Sequence, residues 1–357
     1  MIQLAYLIIL FLFVAPLICY LLCLFRFHNK KNNFGDPKTE KMAVSFIVPC
    51  YNEEKFIERK IKELISECLI AGLTEYEINI VSDGSTDETN HILARLSAEG
   101  KIKVHYLPVR KGKANALNIA VRESAYSTLV FSDSRQEISN GAVRKLLCHF
   151  RDPAIGAVSC KLVHRDDKSL IRRIINRLKE MESGSGSTIG VYGPLYAVRR
   201  SYLEILPVNT ILDDLLISLN ILANGGKVIM EPTALVYDIR FDSLYSKQRI
   251  LRTINGLFQI VKEHRLLLKR ISLKYKLFLF CQKYCKLVTP VIFVLLSLLA
   301  IFNSSILWWH TISVAFLSLT LAIFSMQTVN SIFHFLLIYF TNLFTLNKYN
   351  TQLWDKV

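Results

Sequence analysis

Two acidic sites carry the chemistry this sequence can do. Asp213 and Asp214 open the helical stretch that runs to Leu222, and a carboxylate there can take a proton from an attacking hydroxyl. Asp133 closes the apolar run Leu129-Val130-Phe131-Ser132, where an open α/β sheet places its ligand, and its loop can hold a divalent ion that bridges phosphates. The helix dipole lowers the pKa of Asp214, whereas burial beside Asp213 raises it, and the sequence leaves that balance open. The plain alternative for the pair is an N-terminal helix cap.

Three more loops follow apolar strands and carry groups suited to a charged ligand. In Pro49-Cys50-Tyr51-Asn52-Glu53-Glu54 a strand breaks into a helix, with Asn52 as a candidate N-cap. In Ser82-Asp83-Gly84-Ser85-Thr86-Asp87, Gly84 permits a tight turn and Asp83 can accept hydrogen bonds from a base or a ribose. Alone, this loop reads equally well as a helix cap. Arg110-Lys111-Gly112-Lys113-Ala114-Asn115 offers cations and backbone N–H groups at a helix start, which suits a phosphate or a uracil edge.

These loops need a scaffold, and the chain from Ala43 to Asp238 supplies one. Strands are expected at 44–49, 78–81, 104–107, 129–131, 155–162, 191–198 and 228–230. Helices are expected at 53–70, 86–96, 114–121, 170–181 and 213–222. The alternation predicts a mostly parallel sheet covered on both faces. Runs such as Phe46-Ile47-Val48 suit strands buried on both sides.

The ends differ from this middle. The chain has 357 residues, is 52% hydrophobic and carries a formal charge of +15. Leu4 to Phe25 is uncharged and, at about 1.5 Å per residue, spans about 33 Å, enough for a hydrocarbon core of about 30 Å. A signal peptide is the weaker reading, because there is no basic leader and no small-residue cleavage site follows. Arg26, Lys30 and Lys31 come next, which predicts that the following domain is cytoplasmic. From Lys247 to Lys286 eleven Lys or Arg stand against one acid, Glu263. The segment Leu244 to Leu268 has an apolar side (Ile250, Leu251, Ile254, Leu257, Phe258, Val261) and a basic side, as expected of a helix in a membrane interface. Packing on the globular domain is the alternative. Apolar blocks at 287–302, 306–324 and 332–346 predict two or three further spans.

The expected organisation is a membrane helix at 1–26, a basic linker at 27–42 and a catalytic domain at 43–243. Interfacial helices at 244–286, membrane segments at 287–346 and a tail at 347–357 follow. The basic residues cluster beside apolar blocks rather than interleaving with aromatics on the globular part, which argues against nucleic acid as a partner. The 8 cysteines form no metal ladder or disulfide framework, and the 8 histidines are scattered.

In this order the loops resemble those of the family 2 glycosyltransferases with a GT-A fold. The likeness covers about Val44 to Arg252 and rests on "VPCYNEE", "VSDGSTDET", "RKGKANALN", "LVFSDSRQ" and "DDLLISLNILANGGKV" together. The flanking apolar segments are similar to those of membrane-bound polysaccharide synthases such as poly-N-acetylglucosamine and hyaluronan synthases. The resemblance implies an inverting transferase of the inner membrane, with a UDP-sugar donor, a glycan or lipid-linked acceptor, membrane lipid and room for a membrane partner subunit.

It also implies roles for residues. Pro49, Tyr51, Glu53, Asp83, Lys111 and Lys113 would contact the donor, and Asp133 would begin the metal motif for Mg²⁺ or Mn²⁺. Gly193, Tyr196 and Arg199, in the run from Tyr192 to Arg200, would line the acceptor site. Asp214 would be the general base beside Asp213. Two departures stand out. The metal motif reads Asp133-Ser134-Arg135, so Arg135 would pair with a phosphate, or Glu137 would help hold the metal. The glutamine-to-arginine motif of processive enzymes is one residue longer here and lacks its tryptophan, leaving Arg249 and Arg252 to reach the diphosphate or acceptor. That departure opens a second reading, a single transfer to a polyprenyl phosphate or glycerolipid. A third is a non-catalytic sugar-nucleotide scaffold.

Overall fold

The computed structural model describes residues 2–27, 42–164, 170–238 and 243–301. The chain divides into two units. One comprises Met1–Lys30, Lys168–Ser185 and Ser272–Asn350, the other Lys31–Asp167, Gly186–Ile271 and Thr351–Val357. The apolar blocks expected at 306–324 and 332–346, the 347–357 tail and most of the 27–42 linker lie outside the described residues.

Helix α1 (Ile2–Phe27) belongs to the first unit. In the second, β1 (Ala43–Cys50), β2 (Glu75–Asp83), β3 (Lys103–Leu107) and β4 (Thr128–Ser132) form a parallel set. They are joined by α2 (Ile57–Ala71), α3 (Thr89–Ala98) and α4 (Lys113–Arg122). Phe46, Ile47 and Val48 are fully buried, so the apolar run is a strand covered on both faces, as its composition predicts. The inward stripe of α2, Ile57, Ile61 and Leu64, packs into the same core. Two short elements carry too little periodicity to be read from the sequence, β5 (Glu137–Ile138) and α5 (Ala142–Leu147).

Beyond them come β6 (Ile155–Val163), α6 (Leu170–Gly184), β7 (Leu195–Arg199), α7 (Asp213–Ala223) and β8 (Lys227–Tyr237). The eight strands form one sheet in the order β3-β2-β1-β4-β7-β6-β8-β5. The sheet is mixed rather than purely parallel. β7 runs antiparallel to both β4 and β6, and β5 antiparallel to β8. This reversal sets the site, because Leu195 pairs with Ser132 while Arg199 pairs with Thr128. The residues just before β7 therefore stand at the same sheet edge as Asp133. The expected strand at 191–198 starts late for this reason. Its first residues form a turn instead, in which the Asp133 N–H donates to the Pro194 carbonyl at 3.2 Å.

The basic segment is two helices, α8 (Ser243–Glu263) and α9 (Arg265–Arg270), both within the second unit. Part of the apolar stripe of α8 is covered by protein within this unit. Ile254, Leu257 and Ile260 on α8 are 2%, 0% and 3% exposed. Gly256 lets α8 press against the segment leading into α7, since a Cβ there would stand 2.4 Å from Leu212 Cγ. Gln259 fastens the same segment, accepting from the Ile211 N–H at 3.0 Å and donating to the Asn209 carbonyl at 2.9 Å.

The first unit collects α1, α6, α10 (Leu273–Leu279) and α11 (Cys285–Ile301). Helix α6 lies between β6 and β7 in sequence but groups with these helices rather than with the sheet. Ile2–Arg26 is long and apolar enough to cross a membrane, and Leu273–Tyr284 with Leu287–Leu299 is a pair bent by 65° that passes the same test only jointly. Tyr6, Phe13, Leu17, Tyr20 and Leu24 form the buried face of α1, while Leu4, Phe11, Leu12, Leu22 and Phe25 point outward. Tyr20 donates to the buried Glu182 of α6 at 2.7 Å, and Gln282 donates to its other oxygen.

Replacing Gly256 by valine should force α8 away from Leu212 and cost about 1–3 kcal/mol of stability. Thermal unfolding of the variant would measure it. The second change Leu212→Ala should recover most of the loss, and no recovery would mean that the close approach is not the cause.

Candidate active site

The polar loops gather at one edge of the sheet and are laced together largely through backbone groups. Asn52 has φ of 52°, and its Oδ1 accepts the Thr86 N–H at 2.8 Å while its own N–H donates to Ser85 Oγ at 3.2 Å. It is therefore not the N-cap of α2, which begins five residues later. Asn52 ties the first loop to the second instead. Asp83 is almost fully buried and ties the second loop to the third, accepting the Lys111 and Gly112 N–H groups at 2.7 Å each. Gly84 makes that approach possible. Its φ is 71°, and a Cβ would lie 2.5 Å from the Arg110 nitrogen. The Arg110 guanidinium stacks on the Tyr51 ring at 4.0 Å, a cation–π contact between the first and third loops.

The fourth loop is held from below by α2. Arg59 donates to the Arg135 carbonyl at 2.6 Å and Lys60 to the Gln136 carbonyl. Glu63 accepts the Ile138 N–H at 2.6 Å, and Glu67 accepts those of Gly141 and Val143 at 2.7 and 2.9 Å. Lys60 is fully buried, so burial lowers its pKa against the pull of Glu63. Sequence reasoning missed this clamp. Its one signal is a lysine inside the apolar stripe Ile57, Ile61, Leu64.

At the centre stands Lys113, the first residue of α4. Its Nζ donates to Asp133 Oδ1 at 2.9 Å and lies 3.4 Å from Asp213 Oδ2. Burial opposes its charge, but the two carboxylates outweigh burial and hold its pKa above the usual lysine value. Arg252 of α8 lies 3.7 Å from Asp213 Oδ1 and donates to the Ile211 carbonyl at 3.1 Å. Asp213 is thus buried between two cations, while Asp214 is only half-buried. The Leu215 N–H donates to Asp214 Oδ1 at 2.8 Å, the helix-start contact that favours an anion.

Gly193 brings the acids together. A Cβ on it would meet Asp133 Oδ2 and Asp214 Oδ2 at 3.7 Å each, so the two carboxylates face one small volume across a bare α-carbon. Beneath them Tyr196 is fully buried and stacks on Phe131 with centroids 4.7 Å apart. Burial, then Asp213, Asp214 and Asp133, push its hydroxyl pKa far up, so it stays neutral.

The other expected site residues are distributed as follows. Pro49 pairs with Val81 inside the sheet, and Lys111 contributes its backbone N–H to Asp83. Arg135 Nε donates to both oxygens of Glu53, at 2.8 and 3.0 Å, rather than standing open toward a phosphate. Glu137 pairs with Arg59 at 3.2 Å. Arg249 lies 3.7 Å from Asp238. Arg199 is not brought to this edge. At the far end of β7, its guanidinium donates to the carbonyls of Phe150, Asp152 and Ile155.

Among the described residues no three His, Cys, Asp or Glu side chains converge into a metal cage. The donor chemistry nevertheless fits one arrangement. Asp133 Oδ2 faces the space over Gly193, and a hard divalent ion can be held by a single carboxylate completed by phosphate oxygens. Glu137 is tied to Arg59 at 3.2 Å.

A sheet of this order, with an acid at the tip of its fourth strand and a second acid opening a helix across from it, has the GT-A fold. The chain superimposes on the mannosyltransferase PcManGT from Pyrobaculum calidifontis, solved with GDP-Man and Mn²⁺, with a TM-score of 0.73. The two share 22% identity over 98% of this chain and 100% of the other, a likeness of fold. Residues 45–206 match the model of glycosyl transferase family 2. Among proteins of known activity, it is 24% identical over 236 residues to the poly-beta-1,6-N-acetyl-D-glucosamine synthase of Staphylococcus aureus (strain COL), covering 62% of this chain and 56% of that one. It is 26% identical over 207 residues to the enzyme of the same name from Staphylococcus epidermidis, covering 55% and 49%. The chain thus spans about half the length of these curated relatives.

Burial is the main influence on Glu53 and, against the opposing pull of Arg135, pushes its carboxyl up to about 7. Stability due to this group is therefore lost as the pH rises through about 7. Lowering the pH from about 8 to about 6 removes a negative charge beside Arg135, so an anionic ligand at these loops should bind several-fold tighter. Glu53→Gln should hold the tighter value throughout. A calorimetric titration at both pH values checks this, and a variant that keeps the wild-type pH dependence assigns the effect to another group.

Proposed function

We propose that this chain is a membrane-anchored inverting glycosyltransferase that moves a sugar from a UDP-sugar to a hydroxyl of a growing polysaccharide or a lipid-linked glycan. The observation that carries the reading is the convergence of Asp133 and Asp214 over Gly193, with Lys113 bonded to Asp133. The family match and the names of the staphylococcal relatives support a UDP-sugar and a cell-surface glycan. Those names make N-acetylglucosamine the first sugar to test. Helix α1, long and apolar enough to span a bilayer, supports the anchor.

In the proposed reaction the donor diphosphate lies at the tip of β4, and the acceptor enters over Gly193. Asp214 takes the acceptor hydroxyl's proton as the oxygen attacks the anomeric carbon. The bond from that carbon to the diphosphate breaks, and UDP leaves with the electron pair. Attack from the face opposite the leaving group inverts the anomeric centre. Asp133 would hold Mg²⁺ or Mn²⁺ together with phosphate oxygens, and the ion would neutralise leaving-group charge. Lys113 adds a fixed cation at the same place, and Arg252 keeps Asp213 from repelling the donor. Asp213 is a positioning residue in this account, and Asp214 is the base.

A second reading, one sugar transferred to a polyprenyl phosphate or glycerolipid, is favoured by the altered motif around Arg249 and Arg252. Arg249 lies 3.7 Å from Asp238. Product length separates the two, as a ladder of oligomers or one glycolipid.

Asp214→Asn should leave UDP-sugar binding within about twofold and reduce transfer by about 10²–10⁴. Isothermal titration with radiolabelled turnover measures both, and an active variant removes Asp214 from the reaction. Chelation should abolish most activity, and added Mg²⁺ or Mn²⁺ should restore it. In Asp133→Asn the metal requirement should shift to higher concentration, and full activity after chelation would place the neutralising charge on Lys113 alone.

A further inference from the structure

Only part of the apolar side of α8 is buried in its own unit, and Val261 from that side stays exposed. Four large aliphatic side chains stand in solvent on neighbouring segments. Ile205 is 87% exposed, Val208 59%, Val261 44% and Leu266 76%. Two bridges place these segments side by side. Asn209 donates to Glu263 at 3.3 Å and its carbonyl accepts from Gln259, joining the 204–210 loop to the end of α8. Asn224 donates to Glu204 at 3.2 Å and accepts from Arg270, joining the start of that loop to the end of α9.

Exposed cations are interleaved with the aliphatics, namely Lys262, Arg265 and Lys269. The acids within this surface, Glu204 and Glu263, are held by the amide side chains just named. An exposed leucine between arginine and lysine is costly beside water and suited to a bilayer surface, where the aliphatic part enters the headgroup layer and the cations meet lipid phosphates. At Ser272, two residues after α9, the chain passes into the unit that carries α1.

The geometry points to this face, the 204–210 loop with the corner between α8 and α9, as a docking surface for anionic phospholipid. The inference rests on the reading of α1 as a membrane anchor. The surface borders the loop that leads into α7, so docking would present the helix bearing Asp214 toward acceptors held at the membrane. Anionic headgroups are favoured over a protein partner by the cation excess and by the chain's passage into the unit carrying the apolar helix.

The test uses the full chain in nanodiscs, read by amide hydrogen exchange. In discs containing phosphatidylglycerol, peptides covering 203–210 and 264–271 should exchange several-fold more slowly than in discs of phosphatidylcholine alone. Peptides covering 67–73, where Leu69 is 72% exposed on α2, should not change. The double variant Ile205→Asp, Leu266→Asp should lose the difference while the rest of the map stays native. Equal exchange in the two lipids, or an unaltered difference in the double variant, overturns the proposal. Protection that follows protein concentration in detergent would assign the face to a second copy of this chain and also overturn it. Failure of the chain to enter nanodiscs would sink the anchor reading of α1 instead.

Discussion

One buried ammonium governs the architecture of the site. Three aspartates, 133, 213 and 214, meet above a buried tyrosine and phenylalanine, and like charges so placed repel. Lys113 lies between two of them, and Arg252 lies on the far side of Asp213. Lys113 lies close to both Asp133 and Asp213 and offsets their mutual repulsion. In the proposed reaction, a diphosphate at Asp133 would meet a cation already fixed in place, which would need little reorganisation as charge develops.

The cation can be fixed because the loops around it are fixed. Loops with polar side chains usually move, yet these are joined by backbone N–H groups donating to carboxylates and amides. Asp83 receives two such bonds from the third loop, and Glu63 with Glu67 receive three from the segment after Asp133. Bonds to charged acceptors are stronger than neutral ones. Helix α2 thus has two faces with different jobs. Ile57, Ile61 and Leu64 fill the core, while Arg59, Lys60, Glu63 and Glu67 hold the backbone that carries Asp133. Truncating Lys60 would leave the Gln136 carbonyl and the Glu63 carboxylate buried with one partner fewer.

How far the sequence could be read follows from what kind of signal each residue gives. The four parallel strands and their loops were legible because an apolar run ending in a polar, glycine-bearing stretch has few other uses. The convergence of Asp133 and Asp214 was legible only through family resemblance, since nothing local links residues so far apart. Arg199 was placed at the acceptor site by the resemblance of the run Tyr192 to Arg200. Three residues along an extended strand carry it about 10 Å from Tyr196, and the antiparallel direction of β7 decides which end faces the site. Helix α8 left two readings open because an apolar stripe is the same whether lipid or protein covers it. Only Gly256 and Gln259, a small residue and an amide on the covered side, hinted at protein. Asn52 was taken for a cap because asparagine serves caps and loop ties with the same atoms.

Two adjacent acids at a helix start need not share a task, and here their geometry separates them. Successive residues on a helix point about 100° apart, so Asp213 and Asp214 face different surroundings. Asp213 turns inward to Lys113 and Arg252, and its charge is absorbed by neighbours that any reaction would need to leave in place. Asp214 turns toward Gly193, where the missing side chain leaves open space. The same glycine shows what the antiparallel strand contributes, since only a reversed β7 brings its preceding turn beside β4. In the proposed reaction, a half-exposed Asp214 beside a partner already paired with two cations would gain a proton without unbalancing the buried cluster behind it.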